Sequence, residues 1–178
     1  MNASSRPSYH AVVLGAVEAT GATSGWLLRA VDDRFVVVAA CGNPEAERAI
    51  GATRESRGMA AFVLASGQPA AIQTRPGDTD NDGAGGATGA PRSLLAVPCA
   101  TDEVLGVLEL VDAPSGSFSF DDVEIVSLLA DVAGAALGED ADFVAPATPQ
   151  QLYESLRSLA ALDPTRYRDV ARIVGALL

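Results

Sequence analysis

The sequence predicts an α+β domain, and three observations carry this prediction. Two pairs of short strands, each pair joined by an acidic turn, occupy residues 25–40 and 93–112. An amphipathic helix precedes the first pair, and a longer amphipathic helix follows the second. A chain of 178 residues is long enough for one such domain and a short appendage.

The first half of the chain alternates between helix and strand signals. β-branched and aromatic residues at 25–31 and 34–40, on either side of Asp32-Asp33, predict a hairpin. Residues 45–57 are compatible with a short helix or with a turn. The other elements predicted in this half are a helix at 8–20, a helix at 58–66 and a short strand at 70–73.

The second half carries the strongest strand signal. Residues 93–100 and 104–112 predict a hairpin, in which Pro98 indicates a position where no neighbouring strand needs an amide. Ser119 is a good N-cap for a long helix that ends at Gly138. This helix carries an apolar stripe typical of a face that packs on a core, formed by Ile125, Leu128, Leu129, Val132, Ala135 and Ala136.

Composition separates the chain into a domain, a linker and a tail. The domain is predicted at 1–138, the linker at 139–149 and a C-terminal helical hairpin at 150–178. Asp163-Pro164 starts the second helix of that hairpin, because Pro is favoured at the first helical position. Within the domain, residues 74–91 are almost all small or polar, and we expect a mobile loop there, as in a lid or an insertion.

The charge of the chain is strongly acidic and unevenly placed. The net charge is −11, and all twelve basic residues are arginines. Residues 1–147 carry a net −12, which disfavours non-specific binding of nucleic acid, whereas residues 148–178 carry a net +1. No apolar run approaches the roughly 20 residues that cross a bilayer, and the N-terminus lacks a signal peptide. We therefore expect a cytoplasmic protein without a membrane partner.

Two phrases of the sequence resemble the GAF domain family. One is GMAAFVLASGQPAAI at 58–72, and the other is the segment at 93–137 that begins SLLAVPCATDEVLGVLELVD. The resemblance covers about residues 8–138. It implies an antiparallel sheet of five or six strands, with the first and last helices on one face and a pocket closed by the middle helices on the other.

The resemblance also implies a regulatory role in signalling or transcription control. GAF domains commonly sense small molecules and dimerise through their terminal helices, so a homodimer is possible here. The alternative within the same family is a ligand-free module that binds other proteins. The sequence does not identify a cofactor.

Three residues are candidates for binding a small ligand: Trp26, Arg92 and Glu109. Trp26 lies in mid-strand and is either core or a ligand platform. Arg92, at the end of the 74–91 segment, could bind an anion. Glu109 is in phase with Val107 and Val111, so it either binds a ligand's donor or faces solvent at the margin of the sheet, and the second is what we expect.

Catalytic and metal-binding signals are weak. The cysteines, Cys41 and Cys99, and the one histidine, His10, do not have the spacing of a zinc site, so we expect no metal site. A GAF-fold methionine sulfoxide reductase would use reactive cysteines, which need an electropositive setting. Neither cysteine has one in the sequence, so we expect two small buried side chains and no enzyme.

The tail resembles the last two helices of an ANTAR domain, through Leu156-Arg157…Ala160 and Asp169-Val170-Ala171…Val174. This resemblance implies an RNA-binding antitermination regulator as an alternative function, with an incomplete output domain. The favoured expectation is a protein partner bound through the apolar stripe of the two helices, formed by Leu152, Leu156, Leu159, Tyr167, Val170 and Ile173.

Overall fold

The computed structural model describes residues 7–73, 92–140, 143 and 149–175. The chain divides into two units, and a six-stranded antiparallel sheet forms the centre of the first. The units are residues 1–144 and 145–178. In chain order the elements of the first are α1 (Pro7–Thr20), β1 (Ser24–Val31), β2 (Arg34–Cys41), α2 (Pro44–Arg48), β3 (Thr53–Glu55), α3 (Gly58–Ser66), β4 (Ala70–Gln73), β5 (Ser93–Ala100), β6 (Val104–Val111) and α4 (Phe120–Gly138).

The order of the strands in the sheet is β3-β2-β1-β6-β5-β4. Each of the two predicted hairpins therefore forms one half of the sheet, and β1 pairs with β6 where the halves meet. The ambiguous segment at 45–57 supplies both α2 and the short edge strand β3. The pairing of β5 with β4 ends at Ala96, so Pro98 lies beyond it. This position suits a proline, because β4 needs no backbone amide from it.

Helices cover both faces of the sheet. α1 and α4 pack against β1, β2, β5 and β6 on one face, called here the α1–α4 face. α2 and α3 contact the other, the α2–α3 face. The sheet is thus sandwiched between two helical layers, and side chains alternate between the two faces along each strand.

The ends of the helices follow the local sequence. Asn43 caps α2 by accepting a hydrogen bond from the Ala46 amide at 2.8 Å. Gly67, which directly follows the helix predicted at 58–66, adopts a left-handed conformation with φ of 64°. Ser119 and Asp122 form a capping box at the start of α4, as the Ser119 N-cap predicts.

The buried face of α4 differs from the predicted one. Ile125, Leu128 and Val132 of the predicted stripe are 40%, 64% and 56% exposed. The buried face is made of smaller residues because the helix approaches β5 closely: a Cβ atom on Gly134 would lie 2.6 Å from the backbone nitrogen of Ala100. The buried residues of α4 are Val126, Ala130, Ala133, Gly134 and Leu137.

A polar cluster fixes the C-terminal end of α4. Arg29 of β1 donates hydrogen bonds to the carbonyl oxygens of Leu137 at 3.2 Å and Asp140 at 2.9 Å. The Tyr9 hydroxyl donates to Asp140 Oδ2 at 3.1 Å, and the Arg29 guanidinium lies 4.5 Å from the centre of the Phe143 ring. Asp140 and Phe143, predicted to be linker residues, therefore pack within the first unit.

The second unit contains two helices, α5 (Pro149–Leu162) and α6 (Pro164–Gly175), which contact each other. Asp163 joins them and caps α6, since its side chain accepts a hydrogen bond from the Arg166 amide at 3.0 Å. The helices predicted at 150–178 are therefore present. The predicted loop at 74–91 lies outside the described residues. No helix among those described is long and apolar enough to span a membrane.

Candidate functional site

Trp26 and Glu109 lie directly opposite each other on the paired strands β1 and β6. Residues paired in this way project from the same face of a sheet. That face is the α2–α3 face, because Trp26 packs in the same apolar cluster as Ala60 and Val63 of α3. Two of the three predicted ligand-binding residues are thus brought together.

Arg54 of β3 joins this pair from the edge of the sheet. Its Nη1 atom lies 3.8 Å from Glu109 Oε2, and its guanidinium lies 5.3 Å from the centre of the Trp26 ring. An arginine at this distance over an indole ring makes a cation–π contact. Trp26, Arg54 and Glu109 form the polar group called here the triad.

Trp26 and Glu109 are buried and Arg54 is half-buried, yet the triad is incompletely hydrogen-bonded. Glu109 is 4% exposed, so the expectation that it faces solvent is wrong. Trp26 Nε1, Arg54 Nη1 and Glu109 Oε2 are buried atoms without a hydrogen-bond partner among the described residues. Two donors and one acceptor therefore remain available on one face of the sheet. Buried polar atoms are normally hydrogen-bonded, which makes three in one place unusual.

The electrostatics of the triad are dominated by burial. Burial raises the pKa of Glu109 to about 7, although the neighbouring Arg54 acts in the opposite direction. Burial also lowers the pKa of Arg54, and here Glu109 opposes the change. The Glu109 carboxyl group therefore changes its charge near neutral pH, and it accepts or donates a hydrogen bond according to its protonation state.

Apolar side chains surround the triad. The cluster extends from Leu28 and Val107 in the middle of the sheet to α3 above it. Water is largely excluded from such surroundings, so a polar contact made with the triad would be stronger than at the surface. The partly buried residues that complete the cluster are Ala30, Ala49, Ile50, Met59, Leu64 and Ala70.

Comparison with known proteins identifies the family. The sequence profile of the GAF domain matches residues 9–138, which is more than half of the chain. The chain belongs to the GAF domain family. No curated protein sequence matches it. The predicted GAF fold, with its antiparallel sheet between two helical layers, is confirmed.

Solved structures of GAF domains have the same fold. The GAF-B domain of DevS from Mycobacterium smegmatis is 20% identical with a TM-score of 0.57, over 76% of this chain and 93% of that one. The GAF domain of the Acinetobacter phosphoenolpyruvate-protein phosphotransferase is 17% identical with a TM-score of 0.65, over 76% and 83%. At such identities the likeness shows the fold alone.

An enzyme is among the similar structures. The type II free methionine-R-sulfoxide reductase from Thermoplasma acidophilum is 13% identical with a TM-score of 0.58, over 73% of this chain and 89% of that one. The GAF fold thus supports both binding and catalysis in different proteins, and the residues of each chain decide between them.

Arg92, the third predicted ligand-binding residue, does not join the triad. It is exposed just before β5, and its backbone amide donates a hydrogen bond to Asp112 Oδ1 at 2.7 Å. Ala96, which pairs with Glu109, lies four residues further along the chain, or about 13 Å at the rise of a strand. No described contact links its side chain to Trp26 or Glu109.

The two cysteines lie far apart in the sheet. Cys41 ends β2 and Cys99 lies in β5, three strand spacings or about 14 Å across the sheet. Cys41 is level with Leu95 of β5, so Cys99 lies a further four residues, or about 13 Å, along the strand. Cys99 is fully buried, and burial raises the pKa of its thiol. Cys41 is half-buried, and its pKa is raised by burial and then by Glu47. Neither environment favours the reactive thiolate.

Metal-ligating side chains do not cluster in the part of the chain that the structure describes. There, no three residues among His, Cys, Asp and Glu are placed to hold a metal ion together. His10 is exposed on α1.

The tail places most of its predicted partner-binding residues at or near the surface of the second unit. Leu152 and Tyr167 are 52% and 38% exposed. Leu156, Leu159 and Val170 are half-buried, and the side chain of Ile173 lies outside the described residues.

The sequence analysis identified Trp26 and Glu109 as candidate site residues but missed Arg54. Arg54 lies in the segment at 45–57, for which a short helix and a turn were both compatible with the sequence.

Proposed function

We propose that this GAF domain is a regulatory domain that senses a small molecule through Trp26, Arg54 and Glu109. The single observation that carries the proposal is the set of three buried polar atoms that have no hydrogen-bond partner within the part of the chain that the structure describes. Each such atom costs about 1–3 kcal/mol in an apolar environment. A ligand that offered acceptors to Trp26 Nε1 and Arg54 Nη1 and a donor to Glu109 Oε2 would remove this cost.

The chemistry of the triad limits the ligand. The ligand should carry an acceptor group next to a donor group, because Arg54 Nη1 and Glu109 Oε2 face each other at 3.8 Å. The rest of the ligand should be mostly apolar, because the side chains around the triad are apolar.

Native mass spectrometry of protein purified gently from its own cells tests the proposal. We expect a reproducible extra mass on the wild-type chain that is lost from Glu109→Leu and kept by Glu55→Leu, a matched change at an exposed strand residue. An extra mass kept by both variants would exclude the triad as the site. A wild-type chain without any adduct would favour the ligand-free interaction module instead.

We propose that this domain is not itself an enzyme, so that its regulatory signal passes to another molecule. The raised pKa values of Cys41 and Cys99 and their separation in the sheet argue against the thiol chemistry of the reductase alternative. Reduction of free methionine-R-sulfoxide by the wild-type chain but not by Cys41→Ser or Cys99→Ser would overturn this statement.

The second unit is the proposed route of output to a protein partner. Its helices carry several exposed large apolar side chains, among them Leu152, Tyr153 and Leu162, and apolar side chains left at a surface favour contact with a partner. Leu156→Asp should abolish partner binding and leave the melting temperature of the first unit unchanged. Salt-dependent binding of RNA stem-loops through Arg157, Arg166 and Arg168 would favour the RNA alternative.

A further inference from the structure

The outward face of α4 carries an apolar stripe that no described element of the first unit covers. Ile125, Leu128, Val132 and Ala135 are all exposed and recur at intervals of three and four residues. Such spacing is the seam with which one α-helix packs along another. The stripe, called here the outer stripe, runs from Ile125 to Ala135, a rise of about 15 Å along the helix. It presents three successive turns to a neighbouring helix.

Acidic side chains border the outer stripe. Glu124 and Asp131 each precede a stripe residue by one position, so they line the same flank. Asp121 lies four residues before Ile125, and Glu139 four after Ala135, which places them in line with the stripe at its two ends. All four acidic side chains are exposed.

The other flank of the outer stripe is formed by α1. Leu129 packs beside Gly15, where an added Cβ atom would lie 3.9 Å from the leucine. Tyr9 reaches Ala136 and Asp140, so α1 runs antiparallel to α4. Neither α1 nor α4 contains an arginine. No arginine of these two helices therefore offsets the acidic residues that border the stripe.

We propose that the outer stripe binds an amphipathic helix of a partner protein whose apolar seam is flanked by arginine or lysine. The apolar residues supply the contact area, and the acidic border selects a basic helix over other amphipathic helices. This inference does not depend on ligand binding by the triad. It concerns the opposite helical layer of the same unit.

A second copy of the chain fits the outer stripe poorly. Parallel pairing of two α4 helices would bring Asp121 against Asp121 and Glu139 against Glu139. Antiparallel pairing would bring Asp121 against Glu139, and the Glu124 and Asp131 flanks would face each other. Like charges meet in either arrangement, and nothing basic on α1 or α4 offsets them.

Two synthetic helical peptides test the proposal on the full chain. Both are about three heptads long with leucine along the seam, and they differ only in carrying arginine or glutamate at the flanking positions. Fluorescence anisotropy of the labelled peptides measures their affinity. We expect the basic peptide to bind about tenfold or more tightly than the acidic one, with an affinity that falls as salt is added.

Variants locate the binding. Leu128→Ser should lower the affinity for the basic peptide about tenfold or more. Phe62→Ser, at a similarly exposed residue of α3, should leave that affinity unchanged. Glu124→Arg with Asp131→Arg should reverse the preference between the two peptides. Asp102→Arg with Glu103→Arg, in the exposed turn between β5 and β6, is the matched charge control.

Three results would overturn the proposal. The first is failure of the basic peptide to bind, or equal binding of both peptides. The second is unchanged binding by Leu128→Ser. The third is a wild-type dimer in sedimentation equilibrium that Leu128→Ser converts to monomer, because a second copy would then occupy the stripe.

Discussion

Arg54 Nη1 and Glu109 Oε2 face each other at 3.8 Å, beyond hydrogen-bonding distance, although both atoms are buried. An ion pair of this kind recovers only part of the desolvation cost of its two charges. Burial accordingly dominates the pKa of each partner, upward for Glu109 and downward for Arg54. The pair is therefore sensitive both to pH and to anything that binds between or beside its members.

The stability of the domain should depend on pH through Glu109. Its pKa is about 7 in the folded state against an ordinary value of 4.5, so the folded chain binds more protons than the unfolded chain between these values. The contribution of this group to the free energy of unfolding should fall by about 3 kcal/mol as pH rises through that window, and stay level above it.

Urea unfolding of the wild type and Glu109→Gln at several pH values between about 5 and 8 measures this effect. We expect the difference between the two proteins to change across the window, because glutamine does not titrate. Glu55→Gln, which alters an exposed carboxylate, should keep the wild-type dependence. Parallel curves for the wild type and Glu109→Gln would show that Glu109 does not titrate there.

The fluorescence of Trp26 should report the same titration. Trp26 is the one tryptophan in the chain and lies opposite Glu109. Arg54→Met removes the positive charge that lowers the pKa of Glu109, so the midpoint of the fluorescence change should move to higher pH. Arg57→Met, at an exposed arginine nearby, should leave the midpoint in place. An unmoved midpoint in Arg54→Met would contradict the coupling.

Gly134→Ala should destabilise the domain by about 1–3 kcal/mol, because its Cβ atom would collide with the backbone of Ala100. Gly15→Ala is the control within α1: the added methyl group would meet Leu129 at an ordinary contact distance of 3.9 Å. That change should stabilise the helix by about 0.5–1 kcal/mol. Thermal unfolding of both variants checks the contrast, and a neutral Gly134→Ala would mean that α4 can move away from β5.

The two thiols should react at very different rates with an aromatic disulfide reagent. Cys41 is half-buried and should react in the native state, faster as pH rises toward its raised pKa. Cys99 is fully buried and should react only after unfolding. Absorbance should therefore show one equivalent released under native conditions and a second in denaturant. Two equivalents released together in the native state would contradict this placement of Cys99.

The periodicity of the sequence predicted the strands and helices well, because the strands are rich in β-branched residues and the helices have strong end signals. It failed on the orientation of α4. Apolar residues lie on both faces of this helix, and the larger ones, such as Leu128, formed the clearer pattern. The buried face is instead the one with residues small enough for close approach to β5, such as Gly134. Hydrophobicity alone does not contain that information.

The candidate site was only partly accessible to sequence reasoning. Glu109 stood out as a carboxylate among aliphatic residues, but its burial depends on α3 and on the pairing of β6 with β1. That pairing joins residues about eighty positions apart, and local patterns do not report it. Arg54 gave no signal, because it lies in a three-residue strand at the sheet edge and reaches the site only through the fold.

Strand β1 contacts both helical layers. Trp26 projects from one of its faces toward α3, and Arg29, three residues later, projects from the other and holds the last carbonyl groups of α4. The residue proposed to meet a ligand and the residue that anchors the end of α4 therefore lie three positions apart on one strand, on opposite faces of the sheet.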